Sequence, residues 1–156
     1  MKCLTGMSMA LLMGCGQFQD LPVKGINSTL QPIVNSFKSE AKAFGLGEGQ
    51  DLWAANFGIL SDPSWWGQCG ISWGKDDLGN PIQIRVITIK SDLDSEWIPS
   101  VMRHELGHCV YDLPDRYDDG YAGELMYSRS TNLPTEIELK ELTWRAFALV
   151  IQSQVF

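Results

Sequence analysis

The sequence predicts an α+β domain. Three observations carry that prediction. An apolar stripe at helical spacing covers Thr29–Phe44. Two strand-like segments, Gln68–Gly74 and Ile82–Lys90, are joined by the turn-rich KDDLGNP. Two further helical segments, Asp92–Val110 and Thr135 to about Ser153, follow. At 156 residues the chain can form one domain with a substantial core but not two. The net charge of −7, without a basic stripe, argues against nucleic acid as a partner, because phosphate binding is driven by Lys and Arg.

The first residues read as a targeting segment rather than part of the fold. Lys2 is followed by about a dozen mostly apolar residues, too short a run to span a membrane but the length of a secretory signal. The run ends in Leu12-Met13-Gly14-Cys15, which resembles a bacterial lipobox. That resemblance implies a signal peptide over 1–14, lipidation of Cys15, a tether over 15–27 and a folded domain over 28–156. It also implies a lipid-anchored place in the cell envelope, with the membrane reached through the anchor alone. A plain signal peptide and a buried N-terminal helix are the blander readings. Of four cysteines, Cys3 would be discarded and Cys15 would carry the lipid. Cys69 and Cys109 would remain in an oxidising compartment, where a disulfide is expected. Two unrelated buried thiols are the alternative.

The elements follow in order. Ser28 is placed to cap the first helix, Pro32 sits in its first turn, and Ile33, Phe37, Ala41 and Phe44 form its stripe. GLGEG ends it. Asp51–Leu60 is ambiguous between strand and irregular chain. SDPSWWG is a turn, whose Trp65-Trp66 pair either packs on the core or lines a groove. In the strand 82–90, Ile82, Ile84, Val86 and Thr88 alternate with Gln83, Arg85, Ile87 and Ile89, so one face is buried and the other partly so. Asp94 or Ser95 can cap the next helix, with Pro99 in its early turns. The last helix opens on a capping box, Thr135 with Glu138 three residues on, and buries Leu142, Ala146, Leu149 and Val150. Tyr111–Pro134 is a loop with five acidic residues, and a loop of that length in a compact domain is usually functional.

The chemistry lies in the second helix. His104-Glu105-Leu106-Gly107-His108 is an H-E-x-x-H sequence, and it holds both histidines of the chain. Four helical residues advance about 6 Å and turn about 400°, so the two imidazoles share a face and can reach one Zn²⁺. Glu105, beside the first ligand, is placed to act as general base toward a water that the metal acidifies. The pattern therefore encodes hydrolysis. Its bland reading is a helix with incidental histidines.

The motif resembles that of the metzincin metalloproteases, H-E-x-x-H-x-x-G-x-x-H or a final D, followed by a methionine turn. GELMYSR supplies such a turn in Met126, and the resemblance covers about residues 80–150. It implies a zincin-like fold: a small twisted mixed sheet with a backing helix, a central zinc-binding helix and a C-terminal helix. It also implies a peptide or protein substrate and a chain acting as a monomer. Met126 would floor the zinc, and Tyr127 would offer an oxyanion or substrate contact. The strand 82–90 resembles the edge strand that pairs with substrate backbone.

The chain departs from the family at the third ligand. The family glycine falls on Tyr111 and the ligand on Pro114, which cannot bind metal. One extra residue at the helix end repairs the register. Asp112 then takes the glycine's place, aspartate tolerating the left-handed conformation better than most residues. Asp115 becomes the third ligand. Asp112, Asp118, Asp119 and Glu124 remain alternatives, as do Glu136, Glu138 and Glu141 of the last helix, the plan of gluzincins. Calcium at the acidic loop is a rival, although the spacing fits no EF-hand. A non-catalytic metal-binding envelope lipoprotein is the rival in function, and retention of Glu105 argues against it, since a structural site needs no base.

Overall fold

A computed structural model describes residues 24–115, 125–126 and 133–153. The order of elements is β1 (Gly25–Ile26), α1 (Gln31–Ala43), β2 (Ala54–Gly58), β3 (Gly67–Lys75), β4 (Pro81–Lys90), α2 (Ile98–Tyr111) and α3 (Glu136–Ser153). The architecture is α+β, with a mixed four-stranded sheet in the order β1-β2-β4-β3. β1, β2 and β4 run parallel, and β3 returns antiparallel to β4.

α1 winds up from Asn27, whose carbonyl accepts the Leu30 and Gln31 amides and whose side chain accepts Thr29 N–H at 2.9 Å. The N-cap is Leu30, with no side-chain cap, so the cap expected of Ser28 does not form. Val34, Phe37 and Ala41 are buried, while Ile33 and Phe44 are partly so. Gly45, at φ 90°, closes the helix: its amide bonds Lys42 O and the Leu46 amide bonds Ala41 O. Only a left-handed residue allows that pair of bonds, which is why glycine stands there.

The ambiguous stretch 51–60 contains β2, with Ala54 and Ala55 fully buried against β4. The sheet begins at Gly25, earlier than the domain start expected at 28, because two residues of the expected tether pair with Ala54 and Ala55. β3 and β4 form the expected hairpin. In its loop Asp76 Oδ1 accepts the Leu78 and Asn80 amides, and Gly79 takes φ 84°.

β4 is not an edge strand. It lies between β2 and β3, and Ile84, Arg85, Ile87 and Ile89 are buried on its two faces. Isoleucines on both faces are what a central strand requires. The described edge beside α2 is β3.

α2 begins at Ile98, six residues after the expected start at Asp92, with Trp97 before it and no side-chain cap from Asp94 or Ser95. Pro99 explains the shift: it lacks the N–H that an interior helical position needs, so the first turn forms around it. α3 does open on its capping box. Thr135 N–H and O–H both donate to Glu138 Oε2 at 2.7 Å, and Glu138 N–H returns to Thr135 Oγ1 at 3.3 Å. Its buried face is Leu139, Thr143, Ala146, Phe147 and Val150, with Leu142 and Leu149 only partly buried.

One core joins the helices to the sheet through Phe37, Met102, Leu106, Val110, Phe147, Ala55, Ile87 and Ile89. Phe37 and Phe147 meet edge to face at 5.0 Å between centroids. Arg103, buried in the helical layer, donates to Glu40 Oε1 and Oε2 (2.8 Å each), Ser36 Oγ and Thr143 Oγ1 (3.1 Å each), linking α2 to α1 and α3. A Cys69–Cys109 disulfide, with Cα atoms 5.6 Å apart, fastens α2 to β3. That fulfils the pairing expected from the cysteine count.

Candidate metal centre

The site is built on α2. His104 and His108, four residues apart, bring their Nε2 atoms within 3.0 Å of each other, with ring planes 83° apart. Past the helix end the chain turns back and sets Asp115 Oδ1 3.2 Å from His104 Nε2 and 3.3 Å from His108 Nε2. These three residues are the one group among the described residues arranged to hold a metal ion.

The other ring nitrogens explain why the Nε2 atoms point inward. His104 Nδ1 meets Leu125 O at 2.7 Å, and His108 Nδ1 meets Leu113 O. A carbonyl can only accept, so each neutral ring carries its proton on Nδ1 and turns a bare lone pair toward the other ring and toward Asp115. With neutral rings, two Nε2 atoms and a carboxylate oxygen converge, a set that a cation could bridge. Ligands held about 2.0–2.1 Å from a tetrahedral Zn²⁺ lie about 3.4 Å apart. The observed 3.0, 3.2 and 3.3 Å approach that spacing. The donor set therefore fits Zn²⁺, though two imidazoles and a carboxylate would also accept other divalent transition metals. The side chains keep 18%, 20% and 31% of their surface.

Burial lowers the affinity of His104 for a proton, but Asp115, the charge of Glu105 and the Leu125 carbonyl more than restore it, and its pKa lies above the usual histidine value. Burial and the charge on His104 hold His108 below that value.

Glu105 lies beside this cluster with only 6% of its surface exposed. Burial pushes its carboxyl up to about 7, against the charge of His104, while Asp115 adds to the rise and the Cys69 amide bond opposes it. A carboxyl near 7 can both take and release a proton at neutral pH. Gly67 makes its position possible: a Cβ there would lie 2.8 Å from both Glu105 Cγ and Oε1. Gly107 has a matching role, since a Cβ would meet Met126 Sδ at 2.6 Å. Met126 is buried against the helix directly under the motif.

No protein-family model matches this chain, and no curated protein or solved structure matches it either.

The expected residues divide as follows. His104, His108 and Asp115 come together, with Glu105 beside them and Met126 beneath. Asp112 is turned the other way, onto Arg85 at 2.6 Å. Glu138 is held by its cap and Glu136 by Lys140 at 3.4 Å, and Glu141 is exposed. Tyr127, Asp118, Asp119, Glu124 and Cys15 lie outside the described residues. Trp66 packs on Trp97 (4.8 Å between centroids) at the start of α2, and both Trp65 and Trp66 stay about half exposed (46% and 40%). Sequence reasoning missed Gly67 and Arg85. The only signal for Arg85 was a cation among isoleucines on a strand.

Proposed function

We propose that this protein is a zinc-dependent metallopeptidase with a zincin-like, metzincin-like plan, carried to the cell envelope as a lipoprotein anchored through Cys15. The observation that carries the catalytic reading is the convergence of His104 Nε2, His108 Nε2 and Asp115 Oδ1 beside a buried Glu105. His104, His108 and Asp115 would hold the metal, which when bound supplies Lewis acidity to a water and to the scissile carbonyl.

The protein's own part is proton handling and positioning. The Glu105 carboxylate accepts the proton of the attacking water as its oxygen bonds to the carbonyl carbon. It then delivers that proton to the leaving amine nitrogen as the C–N bond breaks, and so ends as it began. The Cys69 amide and the space left by Gly67 hold the carboxylate in place. The carbonyls of Leu113 and Leu125 fix both imidazole tautomers, the usual task of partners behind metal-ligating histidines. Met126 packs under Gly107 as the methionine turn of metzincins does under their zinc helix.

The test is chelator-sensitive cleavage of a mixed peptide library by the full-length chain. Glu105→Gln should lower the rate by about 10²–10⁴-fold while leaving Zn²⁺ content unchanged. Unaltered cleavage by that variant would refute the mechanism. Folded, zinc-loaded wild type that cleaves nothing would favour the non-catalytic metal-binding lipoprotein.

A further inference from the structure

We infer that Arg85 and Asp112 form a latch that positions the third metal ligand; the inference rests on the metal centre proposed above. Arg85 lies on the central strand β4 with 5% of its side chain exposed. Its Nη1 donates to Asp112 Oδ1 at 2.6 Å and to Cys109 O at 2.9 Å, Nη2 to Asp112 Oδ2 at 3.3 Å, and Nε to Gln83 Oε1 at 2.8 Å. The guanidinium therefore grips the last turn of α2 and the residue after it at once. A planar fork is needed for that, and an ammonium has none.

Asp112 is the one described non-glycine residue with positive φ (φ 54°, ψ 30°). The left-handed geometry costs a non-glycine residue about 1–2 kcal/mol, and glycine would avoid it. The aspartate has what glycine lacks, a carboxylate for Arg85. From this residue the chain reverses, with the Asp112 amide on His108 O at 3.1 Å and the Leu113 amide on Gly107 O at 3.2 Å. Pro114 keeps Leu113 extended. Two products of the turn reach the metal site within three residues: the Leu113 carbonyl on His108 Nδ1, and Asp115 Oδ1 between the two Nε2 atoms. The latch fixes the turn, and the turn sets both. Arg85 and Asp112 are positioning residues and touch no reacting atom.

The experiment measures Zn²⁺ affinity of the full-length chain by competition with a chromophoric chelator, the absorption bands of the Co²⁺-substituted protein, and thermal unfolding of the metal-free protein. Arg85→Lys and Asp112→Asn should each weaken Zn²⁺ binding by about 10–100-fold, the range for groups that orient metal ligands, and shift the Co²⁺ bands. Asp112→Gly should weaken binding as well, because glycine takes the turn freely but offers the buried Arg85 guanidinium no carboxylate. Glu40→Gln is the stability control: it should lower the midpoint and leave Zn²⁺ affinity and the Co²⁺ bands alone. Wild-type affinity and Co²⁺ bands in Asp112→Gly and Asp112→Asn would overturn the latch and leave the metal centre standing. Failure of the wild type to take up Zn²⁺ or Co²⁺ would overturn both.

Discussion

Arg103 and Arg85 are both almost fully buried, both bind a carboxylate, and both tie α2 to a neighbouring element. Arg103, on α2, lies in the helical layer and ties Glu40, Ser36 and Thr143 into one network. Arg85 rises from the sheet and holds Asp112 and the Cys109 carbonyl, where α2 gives way to the turn carrying Asp115. A buried ion pair is a poor stabiliser on balance, because desolvation offsets most of the attraction. The difference between the two arginines is therefore best read from what each one places. Arg103 ties α2 to α1 and α3, and Arg85 ties the end of α2 to β4, where under the proposed latch it would place Asp115.

The largest expected effect breaks the first half of that contrast. Arg103→Ala strands Glu40, which has only 15% of its side chain exposed, and should destabilise the fold by about 3–5 kcal/mol in chemical denaturation. Zn²⁺ affinity of the molecules that remain folded should match wild type. If affinity fell in step with stability, the two arginines would not be separable.

Next comes the disulfide, which lies between the two regions. Cys69→Ser with Cys109→Ser opens a bridge between residues 40 apart and should lower stability by about 2–4 kcal/mol. Because the Cys69 amide holds Glu105, cleavage should drop more than Zn²⁺ affinity does. Equal losses in both would show that the bridge serves only the fold. Thr135→Ala, at the start of α3 and away from the ligands, should cost about 1 kcal/mol in thermal or urea unfolding and leave metal binding unaltered.

The smallest effect is a pH dependence confined to the Arg103 side. Burial alone would raise the Glu40 carboxyl, but hydrogen bonds from Arg103 and Ser36, with the charges of Arg103 and Lys140, hold it below its ordinary 4.5. A carboxyl lowered in the folded state contributes stability that is complete above its unfolded pKa and is lost as pH falls through the folded one. The denaturation midpoint of wild type minus that of Glu40→Gln should therefore be level from neutral pH to about 5 and shrink below 4.5. A gap that widened on acidification would reverse the sign assigned to Glu40.

Local signals were legible in the sequence, and so was the Cys69–Cys109 bridge that the cysteine count expects, but the other long-range pairings were not. The i,i+4 spacing of His104 and His108 places both rings on one side of α2, and the capping box at Thr135 and the hairpin at Asp76–Asn80 are short-range chemistry. Asp112 in the left-handed position follows from the register of the motif and the proline two residues on. Arg85 meets Asp112 across 27 residues, and no spacing rule reaches that far. The sheet order was hidden for a similar reason. The alternation in 82–90 fits a strand with two covered faces, but which strands flank it depends on β2 and on a two-residue β1. The start of α2 shifted to Ile98 because Asp94 and Ser95 look like caps, whereas Pro99 fixes the first turn.

Zn²⁺ bound per full-length chain, compared between wild type and Asp115→Ala, tests the metal centre most directly. Wild type should hold one equivalent through dialysis against a weak chelator. Asp115→Ala, folded and with both histidines present, should lose it. Undiminished zinc in that variant would contradict the assignment of Asp115 and move the third ligand elsewhere.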